Sequence, residues 1–165
     1  MEAGLIVFGV DPGLAGALSV FAHGRLRYVR DMPTLEVGGG TVRRKADAAG
    51  IAAIVREWRA EFGPDHELAV IERVAAMPKQ GSASTFSLGH SAGTVEAVFL
   101  ALGCPVEFVT PQAWKKAAGV GADKASSIAR ATMRWPDLSD LWRRKKDDGR
   151  AEAALIGWHG WERFA

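Results

Sequence analysis

The chain moves between short, dense apolar runs and longer stretches whose apolar residues recur every three or four positions. "GLIVFGV" (4–10) is apolar throughout and stops at Asp11-Pro12-Gly13, the pattern of a buried strand that ends in a turn. "LAGALSVFA" and "RLRYVRDM" follow, divided by His23-Gly24, and read as a hairpin, which makes the first three strands a meander. "PTLEVGGGTVRRK" (33–45) is rich in proline and glycine and basic at its end, which predicts a mobile loop. From Asp47 the period changes, and Ile51, Ile54, Val55 and Trp58 share one face of a helix.

"ELAVIE" (67–72) predicts a short strand that ends in a carboxylate. "SASTFSLGHSAGTVEAVFLALG" predicts a long helix, with Ser84 as a candidate cap. Gly89 and Gly93 in that helix stand four apart, a spacing suited to close packing against another element. "PVEFV" (105–109) is a strand, and Thr110-Pro111 starts a helix with an N-cap and proline at the first position. Two short helices flank "GVG", a loop rich in proline and aspartate follows, and a terminal helix begins near Asp148. The order β-β-β-α-β-α-β-α-α-α predicts an α/β fold. Its sheet is mixed and five-stranded, three strands antiparallel and two parallel, with helices on both faces.

Composition narrows the function classes. A chain of 165 residues suits one domain with one substantial core. A net charge of +2 excludes a polycation, so any nucleic-acid surface must come from local clusters. The candidates are Arg25/Arg27/Arg30, Arg43/Arg44/Lys45, Lys115/Lys116/Lys124 and Arg143 to Lys146, each in competition with a plain solvated face. Cys104 is the only cysteine, which excludes an intramolecular disulfide and a thiolate zinc site and reads as a small buried residue. The first residues lack a basic region and a cleavage site, and no apolar run approaches the roughly 20 residues needed to span a bilayer. The expectation is a soluble, cytoplasmic protein.

The candidate chemistry lies in the carboxylates. Asp11 ends the first strand and Glu72 the fourth, and an isolated charge at the tip of a buried strand is costly unless paired or metal-bound. Asp11 also suits a turn before Pro-Gly, and Glu72 also suits an ion pair with Arg73. By alternation Glu72 points the same way as Leu68 and Val70, toward a core. Asp148 and Glu152 share one face of the last helix. Asp147 and Asp148 also suit a helix N-terminus. Two strand ends and one helix can bring these groups to a point, where oxygen ligands suit Mg²⁺. A pair of such ions about 4 Å apart supports in-line phosphodiester hydrolysis.

These residues lie in segments that resemble the RuvC-type Holliday junction resolvases of the ribonuclease H-like superfamily, with bacteriophage and prophage members the nearest in kind. "FGVDPGLAGALSV", "LAVIERV", "VTPQAWKKAAGVGADK" and "KKDDGRAEAALI" are similar to the family's motifs, in the family's order and over nearly the whole chain. The resemblance implies a ribonuclease H-like fold, a homodimer, and paired symmetrical nicking of four-way DNA junctions with Mg²⁺, for which Mn²⁺ can substitute. It implies metal ligation by Asp11, Glu72 and the carboxylates of the last helix, drawn from Asp147, Asp148 and Glu152. It further implies phosphate contacts from Lys115 or Lys116 and Lys124, and a place in the host cytoplasm if the gene is carried by a phage.

The cations of Arg144, Lys145 and Lys146 read as backbone contacts, and so does Lys79 in "MPKQGSASTF" together with Gln80, Ser82 and Ser84. A polar loop is the competing reading for that segment. The chain departs from the family in two places. Its last acidic pair is spaced four apart rather than three, which leaves Asp147 and Asp148 as alternatives. Ala75 stands where cellular members often carry an aromatic, with Met77 or Phe86 as substitutes and a core role open for Phe86. His159 reads as a surface histidine, and Trp58, Trp114, Trp135, Trp142, Trp158 and Trp161 as core or interface residues. Trp114 in particular would fix the helix that carries Lys115.

Three other readings stand beside the resolvase. They are a nuclease of the same fold acting on RNA or on branched DNA more broadly, a non-catalytic junction-binding module, and an actin-like ATPase, whose first phosphate loop "GVDPGLAGALSV" also resembles. The last would need a second phosphate loop and a longer chain.

Overall fold

The computed structural model describes residues 4–38 and 43–165. Among these residues β1 (Leu5–Asp11), β2 (Ala17–Ala22), β3 (Arg25–Asp31), β6 (His66–Glu72) and β7 (Val106–Val109) form one sheet in the order β3-β2-β1-β6-β7. β1 is central because it is apolar on both faces. It runs antiparallel to β2 and parallel to β6, and β6 runs parallel to β7. The mixed five-stranded sheet is as the sequence predicts.

The alternation of β1 divides the core in two. Ile6, Phe8 and Val10 pack on one side with Ile51, Ile54, Val55 and Trp58 of α1 (Ala48–Phe62) and with Val95, Val98 and Phe99 of α2 (Ser82–Ala101). Val7 and Val70 pack on the other side, against α3 (Pro111–Ala118), α4 (Lys124–Arg134) and α5 (Asp148–Phe164). Trp58, Trp114 and Trp142 are fully buried, while Trp135, Trp158 and Trp161 are partly buried against the second cluster.

On this second side α5 lies against the sheet almost backbone to backbone. A Cβ placed on Gly9 would fall 2.3 Å from the Gly157 nitrogen, and one on Gly160 would fall 2.5 Å from Val70. The hydroxyl of Ser19 donates to the Ala153 carbonyl at 2.7 Å and ties β2 to the same helix. Near its start, a Cβ on Gly149 would lie 2.4 Å from the Ala15 carbonyl oxygen.

Several expectations need correction. Residues 33–45 are not wholly loop, because β4 (Thr34–Val37) and β5 (Arg43–Ala46) pair antiparallel with Glu36 opposite Arg44. Residues 39–42 lie outside the described residues. The pattern hid this hairpin because it is exposed almost throughout and only Ala46 is buried, so no apolar alternation marks it. The loop before α5 contains two 3-10 turns, Pro136–Trp142 and Lys145–Asp147, anchored by buried Trp142 and Asp147.

Gly89 and Gly93 do not pack closely, since no atom of the described residues lies within 4 Å of a Cβ on either. Ser84 is not the cap of α2, because Gly81 occupies that position. Thr110 is a cap, and its hydroxyl oxygen accepts from the Ala113 N–H. Cys104 is buried as expected, which pushes its thiol up to about 12 and leaves it unreactive. No described helix is long and apolar enough to cross a membrane.

Candidate active site

Two parallel strands and one helix end build the site. Val10 of β1 lies beside Ile71 of β6, so Asp11 and Glu72 leave their strands at the same level. Both follow the alternation of Val7 and Val70 and turn to the α5 side. The turn after Asp11 is drawn tight, with the Gly16 N–H donating to Gly13 O at 2.9 Å. Only glycine fits at position 16, where a Cβ would sit 2.1 Å from the Asp11 carbonyl oxygen. The contact of Gly149 with Ala15 then lays the first turn of α5 on this loop. Asp148 and Glu152, one turn apart, are thereby brought to Asp11 and Glu72.

The electrostatics record the crowding. Burial pushes the Asp11 carboxyl up to about 7, reinforced by the charges of Glu152, Glu72 and Asp148 and opposed by the Gly13 N–H, which donates to Oδ1 at 3.3 Å. Glu72 is also raised, by burial first and then by Glu152. The indole N–H of Trp114, donated to Oε2 at 2.6 Å, works against that rise.

Lysines face the other two carboxylates. Lys124 Nζ lies 2.9 Å from Asp148 Oδ2, and Lys115 Nζ lies 3.7 Å from Glu152 Oε1, to which Ser127 also donates at 3.0 Å. Bonding to Asp148 raises Lys124 and keeps it charged.

Asp147 is engaged elsewhere. Its carboxylate accepts two bonds from the Arg144 guanidinium and one from the Arg144 N–H, which together hold it down at about 2. Of the remaining expected contacts, Lys116, Lys145, Lys146 and Lys79 are exposed, and Arg144 is spent on Asp147. Met77 and Phe86 are exposed too, so Phe86 has no core role. His159 is only partly exposed, and its Nε2 is buried without a partner, which corrects its reading as a surface histidine.

Sequence reasoning missed two polar supports of the site, the Trp114 indole and the Ser127 hydroxyl. Trp114 carried a signal, since a buried indole N–H needs an acceptor and the strand-end glutamate was the candidate. Ser127 carried none.

No three His, Cys, Asp or Glu side chains among the described residues are grouped closely enough to hold a metal ion as they stand. The donor set nevertheless fits a hard cation. All four groups are carboxylates, and among the described residues two salt bridges form there, Lys115 to Glu152 and Lys124 to Asp148, so Asp11 and Glu72 form none.

No protein-family model matches the chain, and no curated protein sequence is similar to it. Solved structures are similar to it, two of RuvC among them. RuvC of Thermus thermophilus in complex with a Holliday junction substrate aligns at 18% identity and TM-score 0.55, over 96% of both chains. The Thermus thermophilus RuvC structure aligns at 17% identity and TM-score 0.51, again over 96% of each. At this identity the likeness shows the fold, and the fold is that of RuvC, of ribonuclease H-like type.

Proposed function

We propose that the protein is a Mg²⁺-dependent endonuclease that resolves four-way DNA junctions by paired, symmetrical nicks. The observation that carries the reading is the Asp11 carboxyl, hemmed in by Glu72, Asp148 and Glu152 and, among the described residues, without a salt bridge of its own. A bare anionic cluster repels phosphate, and one that holds divalent cations attracts it. The junction bound by the similarly folded RuvC supports this choice of substrate.

Asp11, Glu72, Asp148 and Glu152 would hold the metal, and Mn²⁺ has the ligand preferences to replace Mg²⁺. When bound, the cation supplies a charge sink for the phosphodiester and a water acidic enough to attack it. Trp114 fixes one oxygen of Glu72 and so limits which way that carboxylate turns. Lys115 and Lys124 exchange their carboxylate partners for the phosphate on either side of the cut. Lys116, Lys145 and Lys146, with Lys79 beyond β6, follow the flanking backbone without reading sequence. Paired nicks call for two sites related by a two-fold axis, hence a homodimer.

The test is cleavage of a synthetic four-way junction beside a linear duplex of the same arms, in Mg²⁺ and in EDTA. Symmetrical nicks confined to the junction and lost in EDTA are expected. Tight junction binding without any cutting would instead make the chain a binding module.

A further inference from the structure

Arg150 lies between Asp148 and Glu152 near the start of α5, and the carboxylate site does not use it. At about 3.6 residues per turn it stands roughly half a turn from both, so it leaves the helix on the opposite flank. There its guanidinium closes on Asp31, the last residue of β3, with Nε donating to Oδ1 at 2.6 Å and Nη2 to Oδ2 at 2.7 Å. The third nitrogen, Nη1, donates at 3.0 Å to the Leu141 carbonyl, in the 3-10 turn Pro136–Trp142. Among the described residues the Arg150–Asp31 pair is the one salt bridge between α5 and the sheet.

The place of Asp31 in the sheet ties this contact to the site. Asp31 pairs with Ala17 of β2, and Ala17 with Asp11 of β1, so the three stand in one row across the sheet. Asp11 and Asp31 are two strands apart, about 10 Å at the usual spacing. Arg150 therefore gauges the start of α5 against the same row that carries Asp11. On the other flank, Lys115 of α3 and Lys124 of α4 hold Glu152 and Asp148. In the proposed reaction both lysines turn to phosphate, and their hold on α5 ends. The Arg150 pair touches no reacting group and stays.

Four crowded carboxylates repel one another, and rotation of α5 away from Asp11 and Glu72 would relieve that. A pair as open as Arg150–Asp31 adds little to stability, since Asp31 is 65% exposed. A planar fork on both carboxylate oxygens nevertheless fixes direction. We infer that Arg150 is a positioning residue: held on Asp31, it sets the rotation of the start of α5 and keeps Asp148 and Glu152 in reach of the cation they would share with Asp11 and Glu72. The inference rests on the metal-nuclease reading of that site.

The experiment measures Mn²⁺ affinity by isothermal titration calorimetry without DNA, with urea melts in EDTA alongside. The parent chain is compared with Arg150→Gln, with Asp31→Asn at the exposed end of the pair, and with the double variant. Charge alone predicts tighter Mn²⁺ binding in Arg150→Gln, because a cation beside an anionic site is removed. Positioning predicts the opposite, a loss of about tenfold. Asp31→Asn should weaken binding too, and the double variant should be no weaker than Arg150→Gln alone, since either change breaks the same pair. Arg59→Gln, which breaks the Arg59–Glu67 pair at the far end of β6, should lower stability and leave Mn²⁺ affinity as it is.

Junction cleavage across a range of Mn²⁺ gives a second readout. Arg150→Gln should need about tenfold more Mn²⁺ for half-maximal cutting, with its junction affinity in EDTA unaltered. If the parent binds Mn²⁺ and Arg150→Gln binds it as tightly or more tightly, the positioning inference alone is overturned. A loss of junction affinity in EDTA with unaltered Mn²⁺ affinity would make Arg150 a phosphate contact, and an equal loss of Mn²⁺ affinity in Arg59→Gln would make general loosening the cause. Either result also overturns the inference. If the parent binds no Mn²⁺, the underlying reading falls and takes this one with it.

Discussion

Asp11→Asn should stabilise the metal-free protein, and only above acidic pH. The carboxyl titrates at about 7 in the fold, against 3.8 for the unperturbed group. Between those values the folded state binds more protons than the unfolded state, so folding stability contributed by Asp11 falls as pH rises through this window. At about 1.36 kcal/mol per pH unit, the full gap amounts to about 4 kcal/mol against the charged form above pH 7. Asparagine keeps the shape and removes the charge. Relaxation of the lysines and an imperfect amide hydrogen bond recover part of the gain, so about 2 kcal/mol near pH 8 is the expected size.

Urea unfolding in EDTA at about pH 8 and about pH 4.5 measures it, with a large gain at the higher pH and little at the lower. Added Mg²⁺ should reverse the order, because only the parent chain binds it well and binding favours the folded state. A variant less stable than the parent at both pH values would show that the carboxylates are not in conflict. The account of the site would then be wrong.

Asp148→Asn should abolish junction cleavage. Asp147→Asn should leave cleavage in place and cost about 1 kcal/mol of stability by loosening Arg144; the two variants are compared by nicking assay and urea melt. Neutralising Lys115, Lys116 and Lys124 together should weaken junction binding and flatten its salt slope by about 2 to 3, and an unchanged slope would remove them from the interface. Trp114→Phe keeps an apolar aromatic ring, though a smaller one, and withdraws the indole N–H from Glu72, whose titration should rise further. The pH profile of cleavage should then move upward with a loss of about tenfold in rate. Gly157→Ala sets a methyl 2.7 Å from Ser19 Oγ and should cost about 1–3 kcal/mol, read as a fall in melting temperature.

Much of this architecture was legible in the sequence because burial wrote it there. β1 and β6 are apolar runs that stop at a carboxylate, and the face of α1 carries its period plainly. Parallel pairing then sets the level of Asp11 and Glu72 without further information. What escaped the sequence were features with no burial signature or with a partner far along the chain. The β4–β5 hairpin is held by register rather than by a core. The glycines singled out in α2 meet nothing among the described residues, while Gly149, Gly157 and Gly160 of α5 press on the sheet, and spacing alone cannot tell an open glycine from a crowded one. The engagement of Asp147 by Arg144, three residues before it, escaped as well. The spacing is visible in the sequence, but a cation beside three others suits a phosphate contact equally well.

The near-backbone contact of α5 with β1 has a consequence for how this protein can vary. On the α1 and α2 side, a layer of large side chains stands between helix and sheet, and such a layer can exchange one bulky residue for another and settle again. On the α5 side there is no such cushion where Gly9 meets Gly157. The depth at which Asp148 and Glu152 sit is therefore not adjustable by repacking, and any added atom there becomes a displacement of the helix. One half of the molecule is free to drift in sequence, while the other behaves as a machined seat whose tolerance is less than a methyl group.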